Sequence, residues 1–240
     1  MLMLAAACGR RDVQIEVAIP GPDSVDAPVA HIGIVALPYD RDSLLAAMAA
    51  NHPRPPDVVH RLDSLFAAFR GPFTGYAAVA YRVQGLERDL GHLRLRIDSL
   101  PRNSPTYDSL YRHFATLSDS VAVARRLRDA AQRTLAEARN RYSEHIDSLR
   151  RRMAAWEDST YRGYDSITKS LTSGLGREAI ADSTGAEGKV TITLPPGQWW
   201  IYARSWDAWD PNSEWYWNVP AKGNRVMLDR STGRRLPRYG

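Results

Sequence analysis

The chain has 240 residues and a formal net charge of +5, from 32 basic and 27 acidic side chains. Only three basic residues are lysines (Lys169, Lys189 and Lys222), and the arginines are interspersed with acids through the middle of the chain, which argues against a nucleic-acid partner. A single cysteine excludes an internal disulfide framework and any multi-cysteine metal site, and no stretch reaches the ~20 apolar residues that a membrane-spanning helix needs.

In chain order the first signal is Met1-Leu2-Met3-Leu4-Ala5-Ala6-Ala7-Cys8-Gly9, an apolar run that closes on small residues immediately before the cysteine. That is how a secretory apolar region meets its cleavage site. The segment resembles a bacterial lipobox, with Ala5 where that family usually has leucine. The resemblance implies that Cys8 becomes the lipidated first residue of a mature envelope lipoprotein. It also implies that Gly9, in place of aspartate, sorts the protein to the outer membrane, facing the periplasm. Membrane contact would then be by lipid anchor alone, with residues 1–12 as signal remnant and tether.

Val13, Ile15, Val17 and Ile19 alternate with Gln14, Glu16 and Ala18, a period of two that predicts a half-buried strand ending at Pro20-Gly21-Pro22. The β-branched run from Val29 to Leu37, closed by Pro38, predicts a second strand. Residues 13–38 thus form the first part of a β domain. The period then changes. Asp40 or Asp42 is placed to cap a short helix through Leu44, Leu45 and Met48, which the prolines of residues 53–56 end.

Residues 39–175 read as a helical insertion. Val59, Leu62, Phe66 and Phe69 share one face before Gly71-Pro72, where a break is expected. Tyr76, Val79, Val83, Leu86, Leu90, Leu93, Ile97 and Leu100 then recur at spacings of three and four, a coiled-coil seam. Pro101-Arg102-Asn103-Ser104-Pro105 forces a turn, with Ser104 as N-cap and Pro105 in the first helical position. The returning helix carries Tyr107, Leu110, Phe114, Leu117, Val121 and Ala124, then Ala131, Leu135, Ala138 and Tyr142, then Ile146, Leu149, Met153 and Trp156. It is expected to run for roughly 65 residues, on the order of 100 Å if unbroken. With Leu100 opposite Pro105, Tyr76 faces about Asp129, and every piece of the first arm finds a partner on the second. The alignment favours an extended antiparallel hairpin over a compact bundle, which the Pro/Gly breaks leave open. A seam of Leu and Ala closes either within one chain or between two, so a homo-oligomer through the hairpin stays open as well. The turn residues Pro101, Arg102, Asn103 and Ser104 form a candidate partner-docking tip.

The period of two returns at Gly188. Strands are predicted at Val190–Leu194, Trp199–Ala203, Trp215–Val219 and Arg225–Leu228, in a second β segment of residues 176–230. Residues 231–240, with Arg234, Arg235 and Arg238 following Arg230, read as a solvated basic tail. Neither half of six strands can bury its sheet alone, so the fold class is α+β. A small antiparallel β-sandwich is expected, with a long antiparallel coiled-coil hairpin inserted between its second and third strands.

Asp182-Ser183-Thr184-Gly185, Gly188 and Leu194-Pro195-Pro196-Gly197-Gln198-Trp199 resemble the turn signature of carboxypeptidase-regulatory-like, transthyretin-like β-sandwiches. The long helical insertion departs from that group. Its modules are usually non-catalytic accessories, so the resemblance implies a scaffold and carries over no catalytic residue.

Among the chemistry-bearing residues, the six histidines lack a second ligand at metal spacing. No nucleophile elbow, phosphate-binding Gly-rich loop or His-Glu-x-x-His is present. Glu137 and Glu144 read as surface acids. No enzyme activity, cofactor or resident metal is expected. Asp210, Asn212 and Glu214 alternate oxygen ligands and form a weak calcium candidate, without the glycine and terminal glutamate of an EF-hand loop. Trp199, Trp200, Trp206, Trp209, Trp215 and Trp217 either weld the hairpin base onto the sheet or form an aromatic face for a glycan or peptide. The reading that follows is a non-enzymatic lipoprotein acting as a spacer or protein-binding arm, whose partner is an envelope protein or cell-wall polymer. The alternatives are a Trp-faced glycan- or peptide-binding module and a periplasmic adaptor of an efflux or secretion system, although the Gly-rich half-motifs that flank an adaptor's hairpin are missing.

Overall fold

A computed structural model describes residues 9–21 and 25–239. The protein is α+β, with one long helical region and two sheets. It divides into two compact units, Met1–Leu62 with Ser148–Gly240, and Asp63–Asp147.

The first unit holds the sheets. Strand β1 (Arg11–Pro20) is the middle of a four-stranded sheet. It pairs antiparallel with β5 (Lys189–Leu194) and with the short β2 (Asp26–Pro28), and parallel with β8 (Arg225–Leu228). The second sheet is antiparallel throughout, in the order β4 (Ile180–Ser183), β3 (Gly33–Leu37), β6 (Trp200–Trp206), β7 (Ser213–Pro220), β9 (Arg234–Pro237). Strands from before and after the helices pair in both sheets. The period-two residues supply the core: Val13, Ile15, Val17, Ile192, Leu194, Val226 and Leu228 from one sheet join Ile34, Ala36, Ile201, Ala203 and Trp217 from the other in a single buried cluster.

Three strands exceed the six expected, namely β2, β4 and β9. Each has only three or four residues, too few to display a period. Because β2 precedes β3, the helices lie between the third and fourth strands in chain order, not between the second and third. Strand β9 also overturns the solvated tail. Arg230 pairs with Asp26, Arg234 with Asp42, and Arg235 with Asp207 and Asp210.

The turn that resembles the transthyretin-like signature is held by Thr184. Its hydroxyl donates to the Val29 carbonyl at 2.7 Å and accepts from the Ile32 amide at 3.1 Å, while its own amide and carbonyl bond Ile32 and His31.

Helix α1 (Arg41–Ala49) starts where expected, with Asp40 accepting from the Asp42 amide and the Ser43 hydroxyl. Helix α2 (Pro56–Asp98) runs through Gly71-Pro72, so the expected break does not occur. Proline denies the Ala68 carbonyl its amide, but its fixed φ is itself helical. The Thr74 hydroxyl bonds back to the Arg70 and Gly71 carbonyls, and Phe66 and Val83, buried on either side, keep both flanks packed.

Helix α3 (Pro105–Thr160) has 56 residues and is capped by Ser104, whose hydroxyl accepts from the Tyr107 amide. It is shorter than expected because Gly163 interrupts the run and caps α4 (Tyr164–Leu175). Every seam residue named on α2 and α3 is buried or half-buried. In the second unit Arg125 of α3 pairs with Glu87 of α2 at 2.6 Å. Aligning Leu100 with Pro105 sets Glu87 opposite Ser118, so the observed pairing lies seven residues further along. Two long side chains leaning along the axes span part of that difference. In the first unit the opening turn of α2 meets the last turns of α3 through Asp57 and Arg152, over buried Val58, Leu62, Leu149 and Met153.

Candidate functional site

The residues singled out from the sequence do not form one site. Cys8 lies outside the described residues. In the turn before α3, Pro101, Arg102 and Asn103 are exposed, and Ser104 is half-buried in its capping role.

The six tryptophans split between the core and the surface. Trp199 and Trp217 are buried, with indole N–H groups donating to the Pro195 and Asp229 carbonyls. Trp215 is half-buried and stacks on Trp217 at 6.1 Å, and Trp209 donates to the Gly21 carbonyl. Trp200 is half-buried, facing away from Trp199 as alternation requires. Trp206 alone among them is well exposed, at 66%, beneath the Arg238 guanidinium. An aromatic platform made of all six is therefore ruled out, because the sheet pairing turns two of them inward.

The calcium candidate is corrected in the same way. Glu214 is ion-paired with Arg204. Asn212 Oδ1 accepts from Arg150, and Asp210 accepts from the Asn212 amide and the Ser213 hydroxyl beside Arg235. Their oxygens serve arginines and the backbone. Among the described residues no group of three His, Cys, Asp or Glu side chains is placed to share a metal.

A cavity of the first unit lies on the other face of the five-stranded sheet. In the register of β6 on β7, Ala203 faces Trp217 toward the core, so Arg204 and Tyr216 point the opposite way. Helix α1, the end of α3, the start of α4 and residues 234–239 surround these side chains and border a half-open cavity of about 610 Å³. Five arginines line it, Arg41, Arg54, Arg204, Arg234 and Arg238, against the carboxylates of Asp42, Glu157 and Glu214.

Arg41 sits at the centre of an aromatic cluster, its guanidinium 4.7 Å from the Tyr202 ring centre and 5.8 and 5.9 Å from those of Tyr164 and Tyr216. It donates to the Tyr216 hydroxyl at 3.0 Å, and that hydroxyl donates in turn to Asp42. Burial and the bond to Asp42 push the Tyr216 phenol well above its usual range, so it stays a neutral donor. Arg54 lies over the rings of Trp156 and Tyr239, at 5.3 and 5.4 Å.

Burial raises the Glu157 carboxyl above its ordinary value of 4.5, opposed by the charges of Arg54 and Arg204. Ionising it therefore penalises the folded state, beginning as pH rises past the unfolded value and complete above the raised folded one. Glu157→Gln removes that penalty. It should raise the thermal midpoint at neutral pH and leave it unchanged below the carboxylate range, as parallel melts at the two pH values would read; equal shifts at both would contradict the assignment.

None of these arginines was singled out from the sequence except in the tail, and that was read as solvated. They come from four separate stretches, so no local spacing announces the cavity.

No family model matches the chain, and no solved structure matches it. A curated 4-hydroxy-tetrahydrodipicolinate synthase from Alkalilimnicola ehrlichii is 31% identical over 100 residues, covering 38% of this chain and 34% of that protein. The chain thus spans about a third of that relative's length, and a match of this extent assigns neither a family nor an activity.

Proposed function

We propose that the protein is a non-enzymatic envelope lipoprotein, anchored through Cys8 on the periplasmic side of the outer membrane. In this reading a transthyretin-like β-sandwich carries a helical hairpin that serves as a spacer or protein-binding arm. The observation that carries it is the closure of both helical seams within one chain. From Tyr76 to Ile97 on α2 and from Tyr107 to Trp156 on α3, each seam residue is already buried or half-buried without a second copy, while Pro101, Arg102 and Asn103 between the helices stay exposed. An arm whose seam is consumed internally offers a partner its turn, together with exposed flank side chains such as Leu95 and Leu127. The ion pairs of Asp42 with Arg234 and of Glu214 with Arg204 support the non-enzymatic part, since they hold these carboxylates as structural counter-ions.

The test is photo-crosslinking in intact cells, with the crosslinker at Asn103 and a control at exposed Arg139. A discrete product from Asn103 alone is expected. The same products from both positions, or none from either, would remove the turn as a docking point.

A further inference from the structure

We infer that the cavity bounded by β6, β7, β9 and α1 is a binding site for a sugar acid or a sugar phosphate, with the ligand's oxyanion seated on Arg41 and Arg54. The charge balance of the walls comes first. Arg204 is neutralised by Glu214 and Arg234 by Asp42. Three arginines, Arg41, Arg54 and Arg238, then face the single carboxylate of Glu157. Among the lining residues five arginines stand against three carboxylates, so the walls are net positive.

Arg41 and Arg54 are the two cavity arginines that carry this reading. Arg41 has five N–H donors, and one of them is used, on Tyr216. Arg54 has ring contacts and no hydrogen bond or ion pair to a described residue. Arg41, half-buried among its rings, gains from their faces but leaves in-plane donors costly to strand, whereas Arg54 is exposed and keeps its donors in water. The planar fork of a guanidinium matches a carboxylate or a phosphate, and the rings hold that fork in place before the ligand arrives.

Size and lining select the body that carries the anion. A cavity of about 610 Å³ falls in the range that encloses small organic ligands, well beyond a single ion. Tyr161 and Tyr164 line the cavity with ring edges and hydroxyls, while the Tyr216 ring is covered by Arg41 and Arg234 and its hydroxyl is bonded to Arg41 and Asp42. Asp42 and Glu214, although ion-paired, retain lone pairs for a ligand's O–H groups. Alternating ring edges and hydrogen-bonding groups suit a hydroxylated ring.

The inference is independent of the proposed arm, and calorimetry on the full chain tests it with three probes: glucuronate, glucose 6-phosphate and glucose. At least one anion should bind, and glucose at least about tenfold more weakly, the discrimination expected when a charge-assisted hydrogen bond is lost. Whichever anion binds more tightly identifies the oxyanion as carboxylate or phosphate. Arg41→Met and Arg54→Gln should each weaken that binding about tenfold or more, and Arg41→Lys should fail to restore it because an ammonium has no fork. Arg41 organises the tyrosine cluster, so Arg54→Gln, at an exposed position, decides the matter if Arg41→Met does not fold. Glucose binding as tightly as either anion, no heat from either anion at millimolar concentration, or unchanged affinity in Arg54→Gln would overturn the assignment.

Discussion

Trp217→Ala should lower the unfolding free energy by about 3–5 kcal/mol, the range for removing a large aromatic from a closed core. Trp217 has no exposed surface and sits on β7 opposite Ala203, in the cluster that both sheets share. Its loss opens a cavity bounded by strands on both sides, and strands locked in ladders collapse poorly into a void. The indole also donates to the Asp229 carbonyl at 2.9 Å, fastening the turn between β8 and β9. That turn passes so close that a Cβ at Gly233 would overlap the indole ring. The same turn is tied by Asp229, whose carboxyl the Ser231 hydroxyl and the Ser231 and Thr232 amides hold below the usual range. Urea unfolding followed by far-ultraviolet circular dichroism would measure the change; a loss below about 1 kcal/mol would show that the site relaxes, contrary to this packing.

Gly188→Ala should cost roughly 2–5 kcal/mol, although it adds one methyl group in a turn. Two terms contribute. Gly188 has φ +69°, where an L side chain costs about 1–2 kcal/mol. Its Cβ would meet the Val17 carbonyl oxygen at 2.8 Å and the Pro28 Cβ and Val29 amide at 2.9 Å, and such overpacking adds about 1–3 kcal/mol. Those atoms cannot retreat easily, because Val17 donates to the Gly188 carbonyl and accepts from Val29. Gly188 therefore sits where β1, the segment after β2 and the start of β5 meet. A thermal melt should show a lower midpoint, with hydrogen exchange speeding at Val17 and Val29 first. Gly223→Ala is the control, because φ there is +73° with open space around the Cβ. It should show the conformational cost alone, and equal losses at both positions would remove the steric part of the argument.

Much of this architecture was legible in the residues because its signals are local. The period of two at Val13, Ile15 and Val17, and again at Ile192 and Leu194, marks residues that are buried. The three-four spacing on α2 and α3 marked their buried faces, and Ser104-Pro105 marked where α3 begins. Other elements had no signal of their own. Strands β4 and β9 exist because β3 and β7 offer them edges, and Pro72 stays helical because packed turns on both sides outweigh one missing hydrogen bond.

The amino-acid sequence by itself determined the α+β class, the helical region between two β segments and the inward face of each long strand. Side-chain periodicity follows from backbone geometry and needs no knowledge of neighbours. Only the tertiary structure decided which tryptophans turn inward, that Arg230, Arg234 and Arg235 pair with Asp26, Asp42, Asp207 and Asp210, and that Arg41 and Arg54 line one cavity. Those outcomes depend on strand order and on charges brought together from distant parts of the chain. Pairing of that kind is settled by the lowest free energy of the whole domain, and no window of sequence contains it.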